Sequence, residues 1–201
     1  MNTLNFNLFN VSLTQFSLKF DYKKLANHIN NIEKQQQGRI VSNIGGWQSD
    51  LMYSDSEKIY DDMINEINEN LKTITLKNNF NDNLICKMTD FWVNINYKNN
   101  ANKEHWHPGS TYSGVVYLEV PENSGNIEFI NPAMDLMNGS DFDFSYFKKP
   151  VDSSNAKTWV LNSTEGTMLI FPSYLKHYVL YNNSNMRRIS IAFNTKIFKK
   201  K

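Results

Sequence analysis

At 201 residues and a formal net charge of +1, the chain has room for one domain with a sizeable core. It gives no electrostatic reason to expect nucleic acid or a membrane surface as a partner. A single cysteine, Cys86, excludes an internal disulfide, and no run approaches the ~20 apolar residues that a membrane span needs. Residues 1–9 lack the basic start and continuous apolar run of an export signal, so a cytoplasmic location is expected.

Residues 1–20 alternate loosely (Leu4, Phe6, Leu8, then Leu13, Phe16, Leu18, Phe20) and read as one or two short strands. Asp21 is placed to cap a helix over 22–36, whose Leu25, Ile29 and Ile32 share one face. His28 is one step off that stripe and reads as a boundary residue. The stretch 42–49 (SNIGGWQS) reads as a loop, its Gly45-Gly46 pair free to turn, with Trp47 either anchoring the core or walling a site. Ser54 and Glu57 have capping-box spacing for a second helix. Its apolar stripe is Ile59, Tyr60, Met63, Ile64, Ile67, Leu71 and Ile74, which is core packing.

From residue 84 the pattern turns to strands. Over 84–98, Trp92, Asn94 and Asn96 fall on one face and Val93, Ile95 and Tyr97 on the other. Residues 99–103 read as a polar turn. Further strands are expected at 105–118, 125–130, 159–161, 167–171, 177–181 and 188–194, followed by a solvated basic tail at 196–201. The expected class is mainly β (α+β), a β-sandwich or jelly-roll core with two or so supporting N-terminal helices. The expected organisation is a single domain over 1–201: helical support at 1–83, the jelly-roll core at 84–196, and the long connection 132–155 as a lid or a poorly ordered insert.

Two of the four histidines, His105 and His107, are two residues apart. On one strand both imidazoles would face one point, which begins a metal site. His177 is the only histidine further downstream, and it is the natural third ligand for a metal that keeps open positions for reactants. Only three arginines occur, and two of them, Arg187 and Arg188, enter the last strand. Arg188 and Ser190 share a face and suit one carboxylate of a small diacid. Arg187 should point the opposite way, to the surface.

These residues carry a resemblance. The ordered set His105-Trp106-His107, Tyr117-Leu118, Ser124–Phe129, Leu169–Pro172, His177 and Arg188-Ile189-Ser190 resembles the iron(II)- and 2-oxoglutarate-dependent oxygenases, prolyl-4-hydroxylase-like members included. The spelling HxHPGSxxSGVxYL, with SNxGGWxS (42–49) and WVNIN (92–96) upstream, is similar to 2-oxoglutarate oxygenases of marine bacteria and their phages. The resemblance implies a double-stranded β-helix, Fe(II) as cofactor, and 2-oxoglutarate with O2 as co-substrates. It also implies hydroxylation of a primary substrate with release of succinate and CO2. His105, His107 and His177 would hold the metal. Arg188 and Ser190 would bind the distal carboxylate of 2-oxoglutarate, with Tyr117, Asn94 and Asn96 as further polar groups of the pocket. Tyr97, Tyr112 and Ser113 are weaker candidates, and Gly45-Gly46-Trp47 and the 132–155 connection are candidate lids.

One position departs from the family pattern: His107 stands where an Asp or Glu ligand is expected. In one arrangement the three histidines bind together; in another His107 is the first ligand with Gly109 in the acid's place, as in the related halogenases. In a third arrangement only one of the pair binds, and water, Glu104 or Glu128 completes the sphere. Outside the resemblance, a cupin-like three-histidine metalloprotein that does not use 2-oxoglutarate and a non-enzymatic jelly-roll structural or binding protein remain the alternatives. A homodimer is the default oligomeric expectation.

Overall fold

The computed structural model describes residues 10–134 and 156–200, together with Leu4 and Ser153. The candidate lid therefore lies largely outside the described residues. The chain order is β1 (Thr14–Ser17), α1 (Tyr22–Gln35), β2 (Asn43–Ile44), β3 (Trp47–Gln48), β4 (Met52–Tyr53), α2 (Asp61–Lys77), β5 (Leu84–Asn96), β6 (Ala101–His105), β7 (Tyr112–Glu119), β8 (Ile127–Ile130), β9 (Thr158–Leu161), β10 (Thr167–Pro172), β11 (His177–Val179) and β12 (Arg188–Lys199). All strand pairs are antiparallel. They form a seven-stranded sheet, β1-β10-β7-β12-β5-β3 with β4 also on β5, and a five-stranded sheet, β2-β6-β11-β8-β9.

The two faces of the large sheet divide by residue parity. Phe91, Val93 and Ile95 of β5, Val116 and Leu118 of β7, Met168 and Ile170 of β10, and Ile189, Ile191 and Phe193 of β12 join the main core. Both helices bury their apolar stripes in the same core: Leu25, Ala26, Ile29 and Ile32 from α1, and Met63, Ile64, Ile67, Leu71 and Ile74 from α2. The alternate residues Tyr117, Leu169 and Phe171 meet Ile127 and Phe129 of the small sheet in a second, smaller cluster. The space between the sheets therefore holds both an apolar plug and the polar residues of the opposite parity.

Asp21 caps α1 as expected, accepting from the Lys24 N–H at 3.0 Å. His28 lies at the boundary, 3.3 Å from Glu57. The expected capping box before α2 does not form. A 3-10 turn, Lys58–Tyr60, intervenes, α2 starts at Asp61 with no side-chain cap, and Asp61 and Asp62 supply negative charge at its positive end. The 99–103 turn and the single 105–118 strand are also corrected. Residues Ala101–His105 form β6, and the chain then turns before β7. The basic tail is not a free end: β12 runs on to Lys199, pairing Lys196 with Lys87 and Phe198 with Ile85 past an irregularity at Asn194/Thr195. Trp47, partly buried, packs against the main core and donates its indole N–H to the Gln36 carbonyl at 3.1 Å.

Candidate metal centre and diacid pocket

His105 is the last residue of β6, and His177, the first of β11, stands directly opposite it. His107 is not on the strand. It sits in the following turn, fixed by its N–H to the Ser173 carbonyl at 2.9 Å. The two same-face imidazoles therefore converge by a different route from strand alternation, yet they converge. The ligand atoms of His105, His107 and His177 lie within 4.8 Å of one another. Their ring centroids are 4.4 Å (His105–His177), 5.1 Å (His105–His107) and 5.3 Å (His107–His177) apart.

His105 Nδ1 lies 2.7 Å from the Lys103 carbonyl, and His177 Nδ1 lies 2.9 Å from the Leu175 carbonyl. A carbonyl only accepts, so each Nδ1 carries the proton and each Nε2 keeps a free lone pair for a metal. Burial keeps the rings neutral. It lowers the pKa of His105, it takes His177 down to about 4 with help from the nearby His105, and it takes His107 down to about 3 with His177 and His105 adding to the effect. Neutral imidazoles are the ligating form.

No carboxylate joins this cluster among the described residues. Glu104 lies 3.9 Å from Lys176, while Glu128 alternates with the inward Ile127 and Phe129. Gly109 has a φ of +80° and open space around it, so the acid's usual place two residues after a first histidine is not built into a ligand position when counted from His107.

The cavity beside the histidines is lined by Trp92 and Asn94 of β5, Val115 and Tyr117 of β7, and Arg188 and Ser190 of β12. Arg188 is 2% exposed. Its Nη1 donates to the carbonyls of Gly125 (2.9 Å) and Ser124 (3.4 Å), and its Nη2 donates to Asn96 Oδ1 (3.0 Å). Gly125 has a φ of +91°, and a Cβ there would sit 2.2 Å from the Leu180 oxygen, so only glycine allows this close backbone turn. Arg188 Nε is buried without a partner, and Nη2 has a second hydrogen to give. No Asp or Glu lies within ion-pair distance of Arg188 among the described residues. A buried cation with free N–H groups and no anion is costly unless a ligand supplies the anion. Ser190 is 5% exposed, and the buried Tyr117 has its phenol pKa pushed up by burial and drawn back by the Arg188 charge.

Asn94 lines this cavity, and Asn96 holds Arg188 in place. Tyr97 does not belong here: it is exposed beyond the end of β5 and donates to Glu33. Tyr112 packs in the main core, accepting from Asn78, and Ser113 donates to Asn194 at 2.9 Å. Arg187 turns away to Glu119 at 3.2 Å. Sequence reading missed Ser42 and Asn102, which line the cavity and continue a chain of amides from Asn96: Asn96 donates to Asn102, and Asn102 to Ser42, each at 3.3 Å. Asn102 was hidden because its segment reads as a polar turn.

Residues 90–194 match the family model described as "Putative 2OG-Fe(II) oxygenase". The chain belongs to that family. It is a 2-oxoglutarate/Fe(II) oxygenase, an oxidoreductase whose cofactor is Fe(II) and whose co-substrates are 2-oxoglutarate and O2. Solved structures share its fold at low identity. A Pseudomonas putida prolyl-4-hydroxylase aligns with a TM-score of 0.64 at 12% identity, over 93% of this chain and 94% of that one. A viral collagen prolyl hydroxylase from Paramecium Bursaria Chlorella virus-1, solved with 2-oxoglutarate, gives 0.58 at 15% identity, over 91% and 94%. The carbocyclase SnoK of nogalamycin biosynthesis gives 0.63 at 8% identity, over 91% and 78%. No curated protein sequence matches the chain. Among the described residues, no helix of this oxygenase is long and apolar enough to cross a membrane.

Proposed function

We propose that this oxygenase is a dioxygenase of the hydroxylase type, using one jelly-roll domain, with iron held by His105, His107 and His177. In this reading Arg188 and Ser190 take the distal carboxylate of 2-oxoglutarate, and Tyr117, Asn94 and Asn96 complete that pocket. The observation that carries the reading is the buried, anion-free guanidinium of Arg188 in the same cavity as three neutral imidazoles.

The donor set fits the group it would hold. Three nitrogen ligands whose donor atoms lie within 4.8 Å of one another suit Fe(II), and their neutrality leaves the full ionic charge to attract a dianion. Bound there, Fe(II) supplies the redox chemistry by which O2 and 2-oxoglutarate become succinate and CO2 while one oxygen atom enters a substrate C–H bond. The chain's own part is binding and orientation. The Lys103 and Leu175 carbonyls fix two imidazoles. The Gly125 and Ser124 carbonyls and Asn96 fix the guanidinium so that its free N–H edge meets a carboxylate. Phe129 and Phe171 pack on the His177 ring, at 5.7 and 4.9 Å between centroids, and keep water from that side of the site.

The test is succinate formation from 2-oxoglutarate by the Fe(II)-loaded protein in air, with Arg188→Met as comparison. Succinate from the wild-type protein and at least a 100-fold loss of kcat/KM in the variant support the reading. An iron-loaded wild-type protein that neither binds nor consumes 2-oxoglutarate refutes it.

A further inference from the structure

The large sheet carries a second feature on its inner face that the diacid pocket does not use. Counting back from Asn96 and Asn94 through Trp92, the same parity of β5 ends at Asp90. Asp90 lines a separate cavity of about 380 Å³ that also borders His105 and His107, together with Trp92, Trp106 and Asn194. This space borders the same histidines, and Arg188 is not among its lining residues. Asp90 and Asn96 are six residues apart on one strand, roughly 20 Å at about 3.3 Å per residue.

The Asp90 carboxylate is held, not left to wander. Thr89 Oγ1 donates to Oδ1 at 2.7 Å and Asn194 Nδ2 donates to Oδ2 at 2.8 Å, while Ser113 orients the Asn194 amide from behind. Both donors are neutral. A carboxylate offers about four acceptor positions, so each oxygen keeps capacity for another donor. No Lys, Arg or His lies within ion-pair distance of Asp90 among the described residues. The other charges of the same cavity are differently placed. Arg39 is 4.0 Å from Asp50, Glu104 is 3.9 Å from Lys176, and Lys103 is an exposed side chain at the rim.

Trp92 supplies the second element. It lies next to Asp90 on the same face, and its ring is 5.7 Å from that of His107. Trp106, half exposed, lines the same cavity, and the Lys176 ammonium lies 5.9 Å from its ring centroid. An indole face beside a carboxylate favours a cation and does nothing for an anion.

Resting on the oxygenase reading above, the geometry points to a primary substrate that carries an ammonium or guanidinium group on a flexible carbon chain, with Asp90 as its recognition residue and Trp92 beside it. The two ends of the inner face then take opposite charges. The dianionic co-substrate goes to Arg188, the cationic substrate goes to Asp90, and the reacting carbon lies between them at the histidines. Asp90 also repels a second molecule of 2-oxoglutarate from the substrate side.

The experiment is calorimetric titration of the full-length protein, loaded anaerobically with Fe(II) and 2-oxoglutarate, with two pairs that differ in side-chain charge: L-arginine against its isostere L-citrulline, and L-lysine against L-norleucine, which lacks the terminal ammonium. At least one cationic member should bind 10-fold or more tightly than its neutral partner, and Asp90→Asn should remove that preference. Equal affinities within both pairs, or a preference that survives Asp90→Asn, overturn the proposal. The wild-type comparison decides the matter even if the variant does not fold. A separate titration of the wild-type protein with 2-oxoglutarate tests the oxygenase reading by itself, and its failure leaves the cation result standing.

Discussion

His105 and His177 face each other across the β6–β11 pair, and each gives its Nδ1 proton to the carbonyl two residues before it. Two imidazoles from distant parts of the sequence are thus set in one tautomer by the same local device. Both Nε2 lone pairs are aimed before any metal arrives. Removing one should therefore act on the metal more than on the fold. His177→Ala is expected to weaken Fe(II) binding at least 100-fold in anaerobic equilibrium dialysis, with the far-ultraviolet circular dichroism unchanged. Full iron occupancy in the variant would contradict the assignment.

The low pKa values of His107 (about 3) and His177 (about 4) have a defined sign in stability. Unfolded histidine titrates near 6.5, so below that pH the unfolded chain binds protons that the folded apoprotein refuses. The stability from these groups is fully present above about pH 6.5 and is lost as pH falls toward 4 and then 3. The urea midpoint of the metal-free protein should drop between pH 6.5 and 4, and His177→Ala should drop less over the same interval. Parallel curves for the two proteins would show that His177 is not held neutral by the fold.

Arg188 should respond to ligand, not to metal alone. With 2-oxoglutarate and an inert divalent ion present, mass action raises the melting temperature of any protein that binds them only when folded. The wild-type protein is expected to show such a rise, scaling with 2-oxoglutarate concentration. Arg188→Met is expected to keep the part of the rise due to metal and lose the rest, as read by differential scanning fluorimetry.

Gly114 sits mid-strand on β7 between β10 and β12. A Cβ there would meet the Leu169 carbonyl at 2.5 Å and the Phe193 ring at 2.2 Å. Neither neighbour is free to move, because the carbonyl is in the sheet and Phe193 is fully buried in the core. Gly114→Ala should cost about 3 kcal/mol in chemical denaturation, at the upper end of what overpacking usually costs. A loss below about 1 kcal/mol would mean that the strands can part.

Much of this was legible in the chain. The apolar stripes of α1 and α2 follow the 3.6-residue period and are buried as read. The alternation of β5 places Trp92, Asn94 and Asn96 on the inner face and Val93 and Ile95 in the core, and carried one step further back it reaches Asp90. His105, His177 and Arg188 stood out because histidine and arginine are scarce in this sequence. What misled was local chemistry overridden by tertiary pairing. The Ser54–Glu57 spacing looks like a cap, but a 3-10 turn at Lys58–Tyr60 intervenes and the helix waits until Asp61. Residues Ala101–Lys103 look like a turn, yet they pair with β2 and β11. The lysines at the C-terminal end look solvated, yet their backbone completes the β5–β12 ribbon. His107 could not be placed from strand period, since a backbone hydrogen bond to the distant Ser173 sets its position.

In the proposed site three histidines and no carboxylate hold the iron while Arg188 holds the diacid. A crystal structure of the protein grown anaerobically with Fe(II) and 2-oxoglutarate tests it most directly. The expected density has the ion bound to Nε2 of His105 and His177 and to a ring nitrogen of His107, with the distal carboxylate of 2-oxoglutarate on Arg188 and Ser190. Glu104 or Glu128 in the coordination sphere, or a diacid bound away from Arg188, would contradict it.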